Sequence, residues 1–222
     1  MVDANIVLHR DDPKKDPLVG HVKVTRDDWI KVARHVLVNE GISRVKVLSI
    51  SEKLDVSRSS FYWYFESRND LLDALLEDWE NRNTATVVDH CEAYATNIGV
   101  ALCNFFKCFV NPDLFDKGLD FAVREWSRRD PKVRNRIDKA DAIRLEAVTA
   151  MFKRYDYSSQ EADVRARILY FMQLGYHALV DYEPMEERMK RMQGYLEGFS
   201  GRKIDPSDYQ DFIAYSLEYG AK

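Results

Sequence analysis

A chain of 222 residues with 45% hydrophobic and 32% charged side chains can bury a core; with only 9 Gly and 6 Pro it is too poor in turn formers for a β-sandwich and too apolar for a disordered segment. The net charge of −4 argues against a chain that coats nucleic acid over its whole surface, yet the charge is unevenly placed. Residues 1–20 balance at −1, residues 21–68 carry nine Lys or Arg against six acids for +3, and the remainder stands at −6: a basic module on an acidic body.

In chain order, Met1 to Gly20 is crowded with charge (Asp3, Arg10, Asp11, Asp12, Lys14, Lys15, Asp16), has no secretory apolar stretch, and is expected to form a flexible, solvated arm. Thr25-Arg-Asp-Asp28 has the spacing of a capping box and predicts a helix start; Trp29, Val32, Ala33, Val36 and Leu37 then recur on one face, and Gly41 is expected to stop the helix in the left-handed region. Val47, Ile50 and Leu54 predict a short second helix, broken at Asp55-Val56-Ser57. A third helix of about two turns should follow, with Phe61 and Phe65 as core residues. Ser67-Arg-Asn-Asp70 is a second capping box and opens a long helix with Leu71, Leu72, Leu75, Leu76 and Trp79 on one side.

Beyond residue 80 the pattern stays helical, punctuated at Asn111-Pro112, Asp130-Pro131, Glu183-Pro184 and Asp205-Pro206. The longest central run without charge, Ala93 to Phe106, has 14 residues and falls short of the ~18–20 that span a bilayer, so no membrane association and a cytoplasmic location are expected. Cys91, Cys103 and Cys108 show no CxxC or zinc spacing and are read as buried free thiols. The helix from Pro131 places Ile137, Ala140, Arg144, Val148, Met151, Phe152 and Tyr155 on a stripe, and Ser158-Ser-Gln-Glu161 caps the next one. These helices, over about 131–156 and 159–182, should form an antiparallel hairpin. Ile168 to Val180 carries no charge, so the second helix must be covered on two sides: by its own body and by a symmetry mate, with Gly175 allowing close approach. A central helix in a monomeric body is the alternative. Leu169 is assigned to the partner-facing side. The segment 183–222 suggests further amphipathic helices of unassigned role.

Two short helices joined by a tight turn, followed by aromatic residues and a new helix, describe a helix-turn-helix whose second member enters the major groove. From Thr25 to Leu76 the chain resembles the tetracycline-repressor (TetR) family. The ending Val56-Ser-Arg-Ser-Ser-Phe-Tyr-Trp-Tyr-Phe-Glu-Ser-Arg-Asn-Asp-Leu71 carries the resemblance, with Gly41 and Ile50 at the family's spacing. Asp55 stands where the family has Gly, and Lys46 where it has a Ser or Thr cap, which removes a cap but adds a cation where phosphates are expected. The resemblance implies an all-α protein with an arm (1–20), a three-helix DNA-binding domain (21–68) and a helical domain for dimerisation and effector binding (69–222). It also implies that Ser57, Arg58, Ser59 and Ser60 face base edges while Tyr62, Tyr64 and Arg68, with Lys46, hold the DNA backbone. Arg58 suits a bidentate bond to guanine, although a solvated surface charge is the plainer reading of the same residue.

The expected function is a homodimeric regulator, in the family's commoner mode a repressor, that binds a pseudo-palindromic operator in double-stranded DNA and is released by a small-molecule effector. Phe105, Phe106, Phe109, Trp126, Tyr170 and Tyr176 are candidate walls of the effector pocket, and Arg124 and His177 candidate polar anchors. Two other classes compete. An enzyme would need a nucleophile elbow, P-loop, Rossmann fingerprint or metal motif, and none is present. His90 beside Cys91, or His177 with Asp181, lacks a converging ligand set, so neither metal nor cofactor is expected. A protein-binding scaffold would leave the basic module unexplained.

Overall fold

The computed structural model describes residues 6–179 and 183–220, and its regular elements are helical, as the 3.6-residue periodicities require. The α-helices among the described residues are α1 Arg26–Glu40, α2 Val47–Leu54, α3 Arg68–Trp79, α4 Ala85–Glu92, α5 Ile98–Val110, α6 Lys117–Ser127, α7 Pro131–Lys153, α8 Ser159–Ala178, α9 Met185–Met189, α10 Met192–Ser200 and α11 Gln210–Tyr219. They fall into two compact units. One runs to Trp79 and takes in Gly118–Arg134; the other holds Glu80–Lys117 and the chain from Asn135 onward. No helix among the described residues is long and apolar enough to cross a membrane.

In the first unit α1 begins at the predicted box: the Asp28 amide donates to Thr25 Oγ1 at 3.2 Å and the Thr25 amide to Asp28 Oδ2 at 2.8 Å. Asp28 is fully buried, and its other oxygen accepts the His9 amide at 2.7 Å. Leu8 is buried as well, so this part of the arm is held and not simply solvated; a carboxylate already fixed as a cap offers the arm a free acceptor. Gly41 stops α1 with φ +84° but with ψ 166°, an extended conformation open to glycine and not the left-handed stop expected. Asp55 does take the left-handed conformation, at φ 55° and ψ 50°. The helical stripe of α1 is buried with Ile50, Leu54, Leu71 and Leu75. Trp29 meets the edge of Phe61, and Phe61 stacks on Phe65 at 5.2 Å. Both phenylalanines are core residues, and truncating either would cost ~3–5 kcal/mol.

In the second unit a π-helical turn, Glu80–Thr84, precedes α4, which packs on α5; α10 and α11 also pack on α5. Phe105, Val148, Phe152, Leu169, Leu196 and Phe212 share the core with all three cysteines. The role of 183–222 is thereby assigned in part: α10 and α11 close this core. The α7–α8 hairpin is tied by the Tyr170 hydroxyl, which donates to Asp141 Oδ1 at 2.7 Å, and near its connection Phe152 meets Tyr157 edge-on. Ser158 caps α8 through the Glu161 amide. The helices end at Lys153 and Ala178, short of the expected 156 and 182, and the last residues expected of α8, Val180 to Tyr182, lie outside the described residues. The α7 stripe is buried with Arg144 in it, whose Nε donates to Thr84 Oγ1 at 3.1 Å.

Helix α8 carries Ala162, Ala166, Leu169 and Tyr170 against its own unit, while Ile168 and Phe171 stay 55% and 54% exposed and Val164 and Leu179 are exposed with them. Leu169, assigned above to the partner-facing side, is completely buried; the uncovered side is that of its neighbour Ile168. Successive residues on a helix point about 100° apart, so a helix apolar all round leaves the choice of face to packing.

Candidate nucleic-acid interface

The reading element is one 3₁₀ helix, Arg58–Trp63, set between α2 and α3. Six residues without a side-chain cap hold their place because Phe61 is driven into the core and the Ser60 hydroxyl donates to the Ser57 carbonyl at 2.7 Å. Burial of Phe61 leaves Ser57, Arg58, Ser59, Tyr62 and Trp63 on the outside. The Ser57 and Ser59 hydroxyls are 2.8 Å apart, and Arg58 forms no ion pair among the described residues, so its five donors face solvent. This row has the chemistry of a base-reading face.

Lys46 sits at the N-cap of α2, exposed, and gives that helix no side-chain cap, as expected. The open amides of the first turn and the lysine charge together favour a phosphate there. The geometry places three of the expected contact residues in bonds within the chain. Ser60 is buried and its hydroxyl is already spent, so it does not face bases. The Tyr64 hydroxyl donates to the Val24 carbonyl at 2.7 Å, and burial followed by the charge of Asp28 pushes the phenol above its ordinary pKa. Arg68 is half-buried and clamps the turn before α2, with Nε on the Val45 carbonyl at 2.6 Å and Nη2 on the Ile42 carbonyl at 3.1 Å. Two of its donors are thus held by the backbone of the turn that leads into Lys46. Two side chains went unassigned from sequence: His21 and Lys23 line a groove with Glu52, Ser57 and Trp63. Their signal was their place just ahead of the first capping box.

The second unit contains a cavity of about 90 Å³. It brings together Phe106, Phe109 and Tyr176 of the expected pocket and adds Gln173, Arg188 and Tyr195. Phe105 packs behind Phe106 and Phe109 in the core. His177 lies against Phe109 and Phe115 and shares a 2.7 Å hydrogen bond with Gln173. Tyr170 is buried on Asp141 and Arg144, away from the cavity lining. Arg124 and Trp126 belong to the first unit, where Arg124 Nε donates to the buried Asp120 at 2.8 Å beside the Trp79 indole, which donates to the same carboxylate at 2.9 Å. Arg188 was missed because it lies in a segment whose methionine pattern shows a helix but not what the helix covers.

The first unit is a helix-turn-helix module of the DNA-binding kind, carried by a chain that is otherwise helical. Residues 30–75 match the sequence profile of the tetR family of bacterial regulatory proteins. Among solved structures, Salmonella enterica GusR is similar over 80% of this chain and 95% of its own (TM-score 0.60, 16% identity). A TetR-family transcriptional regulator from Mesorhizobium loti is similar over 79% and 95% (0.58, 12%), and Mycobacterium smegmatis AmtR over 90% and 96% (0.55, 14%). Residues 30–75 therefore resemble the module of the tetR family, and the chain shares its helical fold with these solved structures.

Proposed function

We propose that this protein is a sequence-specific transcriptional regulator, acting as a repressor in the cytoplasm, that binds a pseudo-palindromic operator as a homodimer and is released by a small molecule. The observation that carries the reading is the exposed polar row Ser57, Arg58 and Ser59 on a segment anchored by Phe61, together with Lys46 exposed at the start of α2. Ser57, Arg58 and Ser59 read base edges, and Lys46 and Tyr62 hold phosphates. The uncovered side of α8 joins two chains, and the cavity in the second unit receives the effector, whose binding moves the reading segments off the ~34 Å spacing of successive major grooves. No catalytic step enters the proposal. Selection from a random duplex library tests it: an enriched inverted repeat, bound with a steep loss of affinity as salt rises, is expected. Enrichment of no inverted repeat overturns it.

A further inference from the structure

The cavity in the second unit has one charged group in its wall among the described residues. Phe106, Phe109, Met172, Met192 and Phe199 give it apolar sides, and of the described side chains that line it Arg188 alone carries charge. The guanidinium carbon of Arg188 sits 3.9 Å from the centroid of the Tyr176 ring. Stacking of this kind occupies the face of the guanidinium and leaves its in-plane N–H donors for a second partner. That partner is not a carboxylate of the chain among the described residues. Glu183, whose charge Arg188 helps to stabilise, is bound by Arg191. On the measure by which one water needs ~10–15 Å³, about 90 Å³ holds several waters or a small ring, and the methionines allow the wall to adjust.

A cationic ligand would meet Arg188 as a like charge, and a wholly apolar one would strip water from its donors and return no hydrogen bond. An apolar body ending in a carboxylate satisfies both parts of the wall. We infer that the cavity binds a small apolar carboxylate, aromatic or short aliphatic, with its two oxygens on the Arg188 fork and its body among the phenylalanines and methionines. This names the chemical class of the effector and rests on the release mechanism proposed above.

The test uses the full chain and two probe sets: phenylacetate, phenylacetamide and phenethylamine, then hexanoate and hexanamide. Calorimetric titration should show each acid binding at least tenfold more tightly than its amide, and the amine not binding. Arg188→Gln should abolish the preference of acid over amide while keeping the wild-type circular dichroism, and Phe106→Trp, which fills the cavity, should abolish binding of both. Equal binding of acid and amide, preference retained in Arg188→Gln, or no binding of either acid at millimolar concentration overturns the inference. Operator titration in the same samples separates it from the release mechanism. Acids that bind but leave operator affinity unchanged support the site and sink the switch, whereas release by the amide with no acid effect sinks the carboxylate site and keeps the switch.

Discussion

Replacing Phe171 by glutamate is expected to split the proposed dimer while leaving the chain folded. Full burial of a large apolar side chain is worth ~1.5–3 kcal/mol, and Phe171 is 54% exposed, so about half of that, roughly 0.8–1.6 kcal/mol, is still to be gained in a contact. A two-fold interface uses each residue twice, which brings the gain to about 1.6–3 kcal/mol, or roughly 15- to 150-fold in the dissociation constant. Truncation to alanine loses that amount; glutamate adds the cost of placing two carboxylates in an apolar contact, so the loss should exceed a hundredfold. The isolated chain should lose only the share of the ring that it already covers, roughly 0.7–1.4 kcal/mol, and stay folded. Leu169→Glu is the contrasting variant: its side chain is completely buried in its own unit, and that substitution should unfold the chain. Sedimentation equilibrium from nanomolar to tens of micromolar, with circular dichroism as a check on folding, reads both. Wild-type protein at the 26.0 kDa chain mass at micromolar concentration, or Phe171→Glu remaining at twice that mass throughout, would refute the reasoning.

Arg58→Ala should relax sequence choice at one base pair per half-site by ~1–3 kcal/mol, whereas Lys46→Ala should weaken all sequences alike and lower the salt slope by about 1, both read by fluorescence titration on selected and scrambled duplexes. Arg68→Ala should leave the salt slope unchanged and lower the melting temperature instead, because it strands the Val45 carbonyl and takes one of two donors from the Ile42 carbonyl, which keeps the Val45 amide, a loss of ~1.5–3 kcal/mol for hydrogen bonds to a charged group; an unaltered melting temperature with a reduced slope would restore Arg68 to the DNA backbone. Burial pushes the Cys91 and Cys103 thiols up to about 12 and raises Cys108 well above the ordinary thiol range. Thiols whose folded pKa is raised contribute stability that is complete below the unfolded value near 9 and is lost as pH rises toward 12, so the native chain should resist thiol reagents at pH 8 and show an alkaline loss of stability that Cys91→Ala reduces.

Local rules were legible in the sequence where the partners lie within one turn. Thr25 with Asp28, Ser158 with Glu161, and the stripe from Trp29 to Leu37 depend on spacings of three and four residues, and the structure has them. Phe61 and Phe65 were equally legible as core, since two rings four residues apart on a short helix need a common covering surface. What spacing does not carry is how a polar side chain spends its donors. Arg68 and Tyr64 bond carbonyls 23 to 40 residues away, and the family resemblance suggested phosphates for both. The phase of α8 was hidden for a different reason: with apolar residues on every side, Ile168 and Leu169 are equivalent on paper, and packing separates them. Arg124 illustrates the third gap, because Asp120 four residues earlier was in view and is the partner that holds it.

The polar row on the reading element and the apolar row on α8 are two halves of one requirement. Under the proposed function each chain presents one reading segment, the 3₁₀ helix Arg58–Trp63, with Arg58 as the proposed bidentate donor and the Ser57 and Ser59 hydroxyls beside it. One guanidinium–guanine pair discriminates by ~1–3 kcal/mol, a factor of roughly 10 to 100, while a genome offers ~10⁶–10⁹ competing sites. A lone module of this kind would spend its time on non-specific DNA. Joining two chains adds the two discrimination energies and so multiplies the factors, and it does so only if a rigid contact fixes the spacing of the two segments. Val164, Ile168, Phe171 and Leu179 are apolar groups that one chain leaves in water and a second chain can cover. Under the proposed function, dimerisation and operator binding are then thermodynamically linked: DNA that spans both half-sites tightens the contact at α8 by the same factor by which that contact tightens the grip on DNA.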